Sequence, residues 1–192
     1  MKIGIDIDGV LANFFDAYVG YHNKIHNTNF SMQDMQRYRL WENREWNLFE
    51  SETQEEILSF YDDHAFENIP VVEGAREGVL ELSRRGYEMS LISARPDFLK
   101  EKTFAWVGRN FLDVFEEIYF TNFSGTNNGN KSEVCFNSGH GTLIEDHLDY
   151  ANECAEKDIR VFLLNQPYNQ CDSLHSNITR VKGWQDLTGY LI

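Results

Sequence analysis

From Pro70 onward the chain alternates short apolar runs with amphipathic stretches, and this rhythm restricts the available folds more than any other feature. EGAREGVLELSRRG (73–86) reads as a helix closed by Gly86, and YEMSLISA (87–94) as a strand. DFLKEKTFAWVGRNF reads as a helix, EEIYFTN as a strand, KSEVCFNSG as a short helix and GTLIED as a strand. HLDYANECAEKD then gives a helix, RVFLLN a strand, and ITRV a last strand before a helix over 184–192. Strands separated by helices need crossover connections, which are right-handed and leave the strands parallel with helices on both faces. The expected fold is α/β, a Rossmann-like three-layer core with a central parallel sheet.

The N-terminal stretch MKIGIDIDGV adds the first strand, over residues 3–7, with Ile3, Ile5 and Ile7 as its apolar positions. Asp6 lies inside it and Asp8 follows at once. Burying an unpaired ionised carboxylate is costly, so two of them before a glycine suggest that something neutralises or uses them. The other polar residues at strand ends fall into the same pattern: Ser93 ends LIS, Lys131 follows the loop after IYFTN, and Glu145 with Asp146 ends TLIED. In an open parallel sheet such ends meet at one crevice, where ligands bind.

Between residues 14 and 72 the texture changes. This stretch holds 12 of the 27 aromatic residues and 11 acids against four bases, with helical patterning. Residues 11–27 read as one helix, weakened by Gly20. TQEEILSFYDDHAF (53–66) reads as another, with Thr53 and Glu56 as a capping box and Ile57, Leu58, Phe60 and Tyr61 as the buried stripe. The expected division is a helical insert over 14–72 and a core made of 1–13 and 73–192.

A formal charge of −14 argues against general binding of nucleic acid or anionic membranes, which needs clustered Lys and Arg. Phosphate must then be met by a few local cations or a metal. The N-terminus shows no basic region followed by a long apolar run, and a cytoplasmic location is expected. Cys135, Cys154 and Cys171 lack C-x-x-C spacing and read as reduced thiols, so the sequons at Asn122 and Asn177 carry no glycosylation meaning. The loop SGTNNGNKS resembles a P-loop but has mis-spaced glycines, and reads as a connector. His22 and His26, one helical turn apart, offer a metal two ligands without an evident third, and a surface or core role is the expectation.

Taken together, D-x-D at strand one, then Ser93, Lys131 and the acidic pair Glu145-Asp146 resemble the four motifs of the haloacid dehalogenase-like superfamily. IDIDGVLAN, LISARP, LIEDH and the length of the insert are most similar to its 5'(3')-deoxyribonucleotidase group and related bacterial nucleotidases. The resemblance covers the whole chain and makes the insert a small helical cap. It implies that Asp6 is a nucleophile forming an aspartyl-phosphate and Asp8 the general acid and base. It implies Mg2+ held by the Asp6 carboxylate, the Asp8 main-chain carbonyl and Asp146, with the role of Glu145 less defined. Ser93, Ala94 and Lys131 are implied at the phosphate; Arg95 either adds a phosphate contact or forms a surface ion pair. The position where many relatives carry a further acid is Tyr150 here.

The resemblance implies a Mg2+-dependent phosphomonoester hydrolase, a 5'-nucleotidase acting on (deoxy)ribonucleoside monophosphates. A phosphatase of a sugar phosphate or phosphoglycolate is the alternative, and a non-catalytic binding module the remoter one. A small cap leaves room for a mononucleotide but not a polymer; a monomer or a homodimer is expected. In the insert, Phe14, Phe15, Tyr38, Trp41, Trp46 and Phe49 are candidates to stack a nucleobase, and Arg44 or Arg39 to reach its polar edge. The competing reading is that these aromatics pack the insert's own core.

Overall fold

The structure is a computed structural model that describes residues 1–46, 48–121 and 130–191. Most of the SGTNNGNKS connector, with its two glycines, and the Asn122 sequon lie outside the described residues.

Six described strands form one sheet: β1 (Lys2–Ile5), β2 (Glu88–Ser93), β3 (Ile118–Phe120), β4 (His140–Glu145), β5 (Arg160–Leu164) and β6 (Ile178–Val181). Their order is β3-β2-β1-β4-β5-β6, and every pairing is parallel. The α/β sheet expected from the alternating pattern is therefore present. β1 lies between β2 and β4, where the strand order reverses, and the C-terminal ends of these three strands border the crevice such a reversal opens. Both faces are covered, so Ile3, Ile5, Leu91, Ile92, Leu143 and Ile144 are all fully buried.

β1 is shorter than residues 3–7. The Asp6 N–H still donates to the Ile144 carbonyl at 3.0 Å, but the Ile7 carbonyl turns away to accept from Leu11 and Ala12. Asp6 is thus the last rung of the sheet, and Asp8 stands in the turn beyond it.

The helical stretch leaves and rejoins the sheet layer through two adjacent backbone bonds, Asn13 N–H to the Pro70 carbonyl and Val72 N–H to the Leu11 carbonyl, each 2.8 Å. It contains α1 (Phe14–His26), α2 (Glu50–Asp62) and α3 (His64–Glu67), with single 3-10 turns at Met32–Asp34, Leu40–Glu42 and Arg44–Trp46. α2 differs from the sequence reading. It begins at Glu50, and Glu52, not Glu56, reaches back to cap the Phe49 N–H at 2.9 Å. Thr53 is already inside the helix, donating to the Phe49 carbonyl, and Leu58 is exposed while Phe60 is buried. Asp63 ends the run and caps α3 through Ala65 N–H, so one expected helix is two.

Around the sheet lie α4 (Ala75–Arg84), α5 (Lys100–Asn110), α6 (Lys131–Asn137), α7 (Leu148–Ala155) and α8 (Trp184–Tyr190). Phe14, Phe15, Tyr18, Phe60 and Phe66 share one apolar cluster with Ile5, Ile144 and Phe162 of the sheet. Burying each such side chain stabilises by about 1.5–3 kcal/mol, which holds the helical stretch against the strand ends. No described helix is long and apolar enough to cross a membrane.

Candidate active site

The turn after β1 is set by Gly9. Its φ of +80° lies in the left-handed region, and a Cβ there would stand 1.9 Å from Oδ2 of Asp146. The absent side chain lets the end of β4 approach the turn, bringing Asp146 beside Asp6.

Lys131, the first residue of α6, joins the carboxylates of two strands. Its Nζ lies 2.7 Å from Asp6 Oδ1 and 2.8 Å from Glu145 Oε2, and all three side chains are buried. Burial alone lowers the Lys131 pKa, but the charges of Asp6 and Glu145 reverse that and hold the ammonium form. The Asp6 carboxyl is pushed up to about 7, mainly by burial; Lys131 opposes this shift, and Glu145 and Asp8 add to it. Asp146 is also raised, first by burial and then by Glu145 and Asp6. Its Oδ2 accepts a hydrogen bond from the Tyr168 hydroxyl, and its carbonyl accepts from Asn169 Nδ2 at 2.7 Å.

Carboxylate oxygens of Asp6, Glu145 and Asp146 lie within 4.8 Å of one another. One ammonium against three buried carboxylates leaves negative charge in a low-dielectric site, and the donors are all hard oxygens. That set fits a divalent cation such as Mg2+. Glu145 is the most engaged of the three: Oε2 accepts from Lys131, and Oε1 from the N–H groups of Asp146 and His147. Asp6 and Asp146 are better placed to give an oxygen to a cation.

Asp8 faces a different cation. The Arg95 guanidinium donates to Asp8 Oδ1 at 2.7 Å and to Oδ2 at 2.8 Å. Arg95 is only 4% exposed, bonds Thr103 Oγ1 at 3.1 Å and lies 5.0 Å from the centre of the Phe66 ring. A surface ion pair, one of the two readings from sequence, is therefore excluded: the pair is bidentate and its guanidinium is buried. Ser93 is buried at the end of β2, and its hydroxyl accepts from the Arg95 N–H at 3.2 Å.

Of these groups, Asp6, Asp8, Arg95 and Lys131 form the polar floor of a cavity of about 350 Å³. Phe14, Phe15, Tyr38, Trp41 and Tyr61 form an aromatic wall, with Arg39 at the same cavity and Ala94 beside Arg95. A larger open groove along α4 and α8 carries none of the strand-end carboxylates. Ser93, Glu145 and Asp146 lie behind this lining, and three of the candidates for the base are not at the cavity either. Trp46 is buried in the helical stretch, stacked on Tyr18, His22 and Phe30, which corrects its assignment to the base. Arg44 is exposed and Phe49 is 74% exposed, and neither lines the cavity.

Sequence reasoning missed Tyr168, Asn169, Thr103 and Tyr61, each tied to the site only by tertiary packing. No spacing signal marks them. Tyr150, noted in the sequence only as a missing acid, lines the cavity with its ring centre 4.6 Å from the Lys131 ammonium.

Residues 1–192 match the family model described as 5' nucleotidase, deoxy (pyrimidine), cytosolic type C protein. A protein of Oceanobacillus iheyensis named "Putative nucleotidase OB0422" is 25% identical, the match covering 97% of this chain and 96% of that one. Among solved structures, the haloacid dehalogenase-like family hydrolase SP0104 of Streptococcus pneumoniae superposes with a TM-score of 0.69 at 13% identity, covering 100% and 98% of the two chains. A haloacid dehalogenase family hydrolase of Deinococcus radiodurans, solved with bound phosphate and sodium, gives 0.69 at 14% identity, covering 99% and 94%. With the family model matched from end to end, and the fold shared with those haloacid dehalogenase-like structures, the chain belongs to the 5' nucleotidase, deoxy (pyrimidine), cytosolic type C family.

Proposed function

We propose that this hydrolase is a Mg2+-dependent 5'-nucleotidase acting on deoxyribonucleoside monophosphates, with residues 14–72 as a cap over a core of 1–13 and 73–192. The observation that carries the reading is the single cavity that joins a floor of Asp6, Asp8, Arg95 and Lys131 to an aromatic wall. The floor suits a phosphate. The wall suits a flat base, and about 350 Å³ suits a small ligand and not a polymer.

In this mechanism an Asp6 carboxylate oxygen attacks phosphorus and the ester P–O bond breaks, while Asp8 delivers its proton to the leaving 5'-alkoxide. Water then attacks the aspartyl-phosphate with Asp8 accepting its proton, and the Asp6 O–P bond breaks to release inorganic phosphate. Lys131 and the Ser93 hydroxyl take the phosphoryl oxygens, where donors fixed in a dry site stabilise developing charge. Arg95 is shared between Asp8 and the incoming phosphate; a phosphate oxygen that takes one of its N–H groups frees Asp8 to turn toward the leaving group. Glu145 holds Lys131 in place. Asp6 and Asp146, with the Asp8 carbonyl, would hold Mg2+, which when bound offsets the charge of phosphate and carboxylates together. Tyr38, Trp41 and Phe14 would stack the base and Arg39 reach its edge.

The test is phosphate release from deoxyribonucleoside monophosphates, ribonucleoside monophosphates and sugar phosphates, each with Mg2+ and with EDTA. Mg2+-dependent release concentrated on the deoxyribonucleotides is expected. Release confined to sugar phosphates or phosphoglycolate would keep the chemistry and remove the nucleotide; none from any substrate would leave a binding module.

A further inference from the structure

We propose that His22, His26 and Glu56 form a second metal site, in the helical stretch, for one divalent transition ion of the zinc class. His22 and His26 sit one turn apart on α1, which sets both rings on one face. The missing third ligand comes from α2. Glu56 Oε1 lies 2.8 Å from His22 Nδ1, and Oε2 lies 2.8 Å from His26 Nε2. One donor atom from each residue falls within 4.8 Å of the others. That is compact enough for a single ion at the roughly 2.0–2.2 Å bonds zinc makes to imidazole and carboxylate. Two imidazoles and one carboxylate suit zinc, cobalt or nickel and not the all-oxygen preference of Mg2+.

The surroundings fit a metal. The Glu56 carboxylate is buried, and its Oε1 also accepts from the Tyr18 hydroxyl at 2.7 Å, an outer bond that fixes its orientation. Trp46 stacks on His22 with ring centres 4.9 Å apart, and Phe30 lies beyond it, so the polar donors sit in an apolar shell. His22 is 1% exposed and its Nε2 has no hydrogen-bond partner among the described residues. A proton moved to Nε2 therefore breaks no bond there and gives the Nδ1 lone pair to the ion. His26, 41% exposed at its side chain, opens an entry path from solvent. α1 also carries Phe14 and Phe15, and α2 carries Ile57 and Tyr61, all lining the catalytic cavity. An ion between the two helices thus ties together two walls of that cavity.

The experiment uses the full chain, stripped with chelator and carrying Asp146→Asn so that the strand-end carboxylates do not compete. Dialysis against Zn2+ with elemental analysis is expected to leave one ion per chain, and Co2+ to give visible absorption bands of imidazole and carboxylate ligation. His26→Gln, at a half-exposed position that leaves the fold intact by circular dichroism, is expected to weaken binding by more than the roughly 10–100-fold lost with an outer partner. Glu56→Gln should do the same. No retained ion in the parent protein, or equal retention after His26→Gln, would overturn the proposal; a melting temperature that follows pH but not Zn2+ would make the cluster a hydrogen-bonded His-Glu-His arrangement instead.

Discussion

Arg95 closes on both oxygens of Asp8, Nη2 to Oδ1 at 2.7 Å and Nε to Oδ2 at 2.8 Å, so the two carboxylates of the D-x-D motif answer to different cations. Asp6 is held by Lys131. The separation matters for the proposed chemistry, because a nucleophile and an acid placed only two residues apart need different partners to do different work. Lysine in place of Arg95 keeps the charge and loses the fork. Arg95→Lys is expected to lower kcat/KM by roughly 10–150-fold, the equivalent of one charge-assisted hydrogen bond worth about 1.5–3 kcal/mol. Steady-state kinetics on the best nucleotide substrate would check this, and an unchanged kcat/KM would reduce the pair to a structural tie.

Lys131 bears on stability as well as chemistry. It is the ammonium at the centre of Asp6 and Glu145, with every side chain of the trio buried. Removing one partner of a buried ionic group strands the others and typically costs about 3–5 kcal/mol. Lys131→Met should lower the urea midpoint accordingly in EDTA, and Mg2+ should recover part of the loss by supplying the missing positive charge. A midpoint unmoved in EDTA would mean that the carboxylates are neutralised by protons alone.

The sheet was legible because its strands are apolar on both faces and bounded by helices with ordinary stops, so periodicity alone located β2, β4 and β5. The strand-end carboxylates were legible for the same reason, since a charge in a buried strand is conspicuous. The helical stretch was not. Its three described 3-10 turns have no period to read, and Glu56 looked like the capping partner of Thr53 until tertiary structure put it against His22 and His26. Trp46 and Trp41 are indistinguishable in sequence, five residues apart in one aromatic run. Only packing sends the first into a stack with Tyr18 and the second to the cavity.

His140 supplies a pH prediction away from the site. It begins β4, is buried near the Tyr119 ring, and neither ring nitrogen has a hydrogen-bond partner among the described residues. Burial, and then the charge of Lys2, lower its pKa from the usual 6.5. The folded state therefore binds fewer protons here than the unfolded chain. This contribution is fully present above about pH 6.5 and is lost as the pH falls through the lowered folded value. His140→Phe should flatten the decline of the urea midpoint between about pH 7 and about pH 5. The same slope in both proteins would place the acid sensitivity elsewhere, with His147, whose pKa burial also lowers, as the next candidate.

Gly9 separates backbone strain from site geometry. Any side chain there adopts a φ of +80°, and its Cβ meets Asp146 Oδ2 at 1.9 Å and Cγ at 2.5 Å. Gly86 has nearly the same φ, +78°, with nothing within 4 Å of the position its Cβ would occupy. Both alanine substitutions carry the left-handed penalty of about 1–2 kcal/mol, so they should lower the urea midpoint similarly apart from the clash at Gly9. Only Gly9→Ala displaces Asp146 from Asp6. In a Mg2+ titration of phosphate release, Gly86→Ala is expected to behave as the parent protein does, while Gly9→Ala needs about tenfold or more Mg2+ for half-maximal rate, as when an oxygen ligand moves out of place. Equal Mg2+ dependence in the two variants would show that Asp146 relaxes without loss, and would take it out of the cation site.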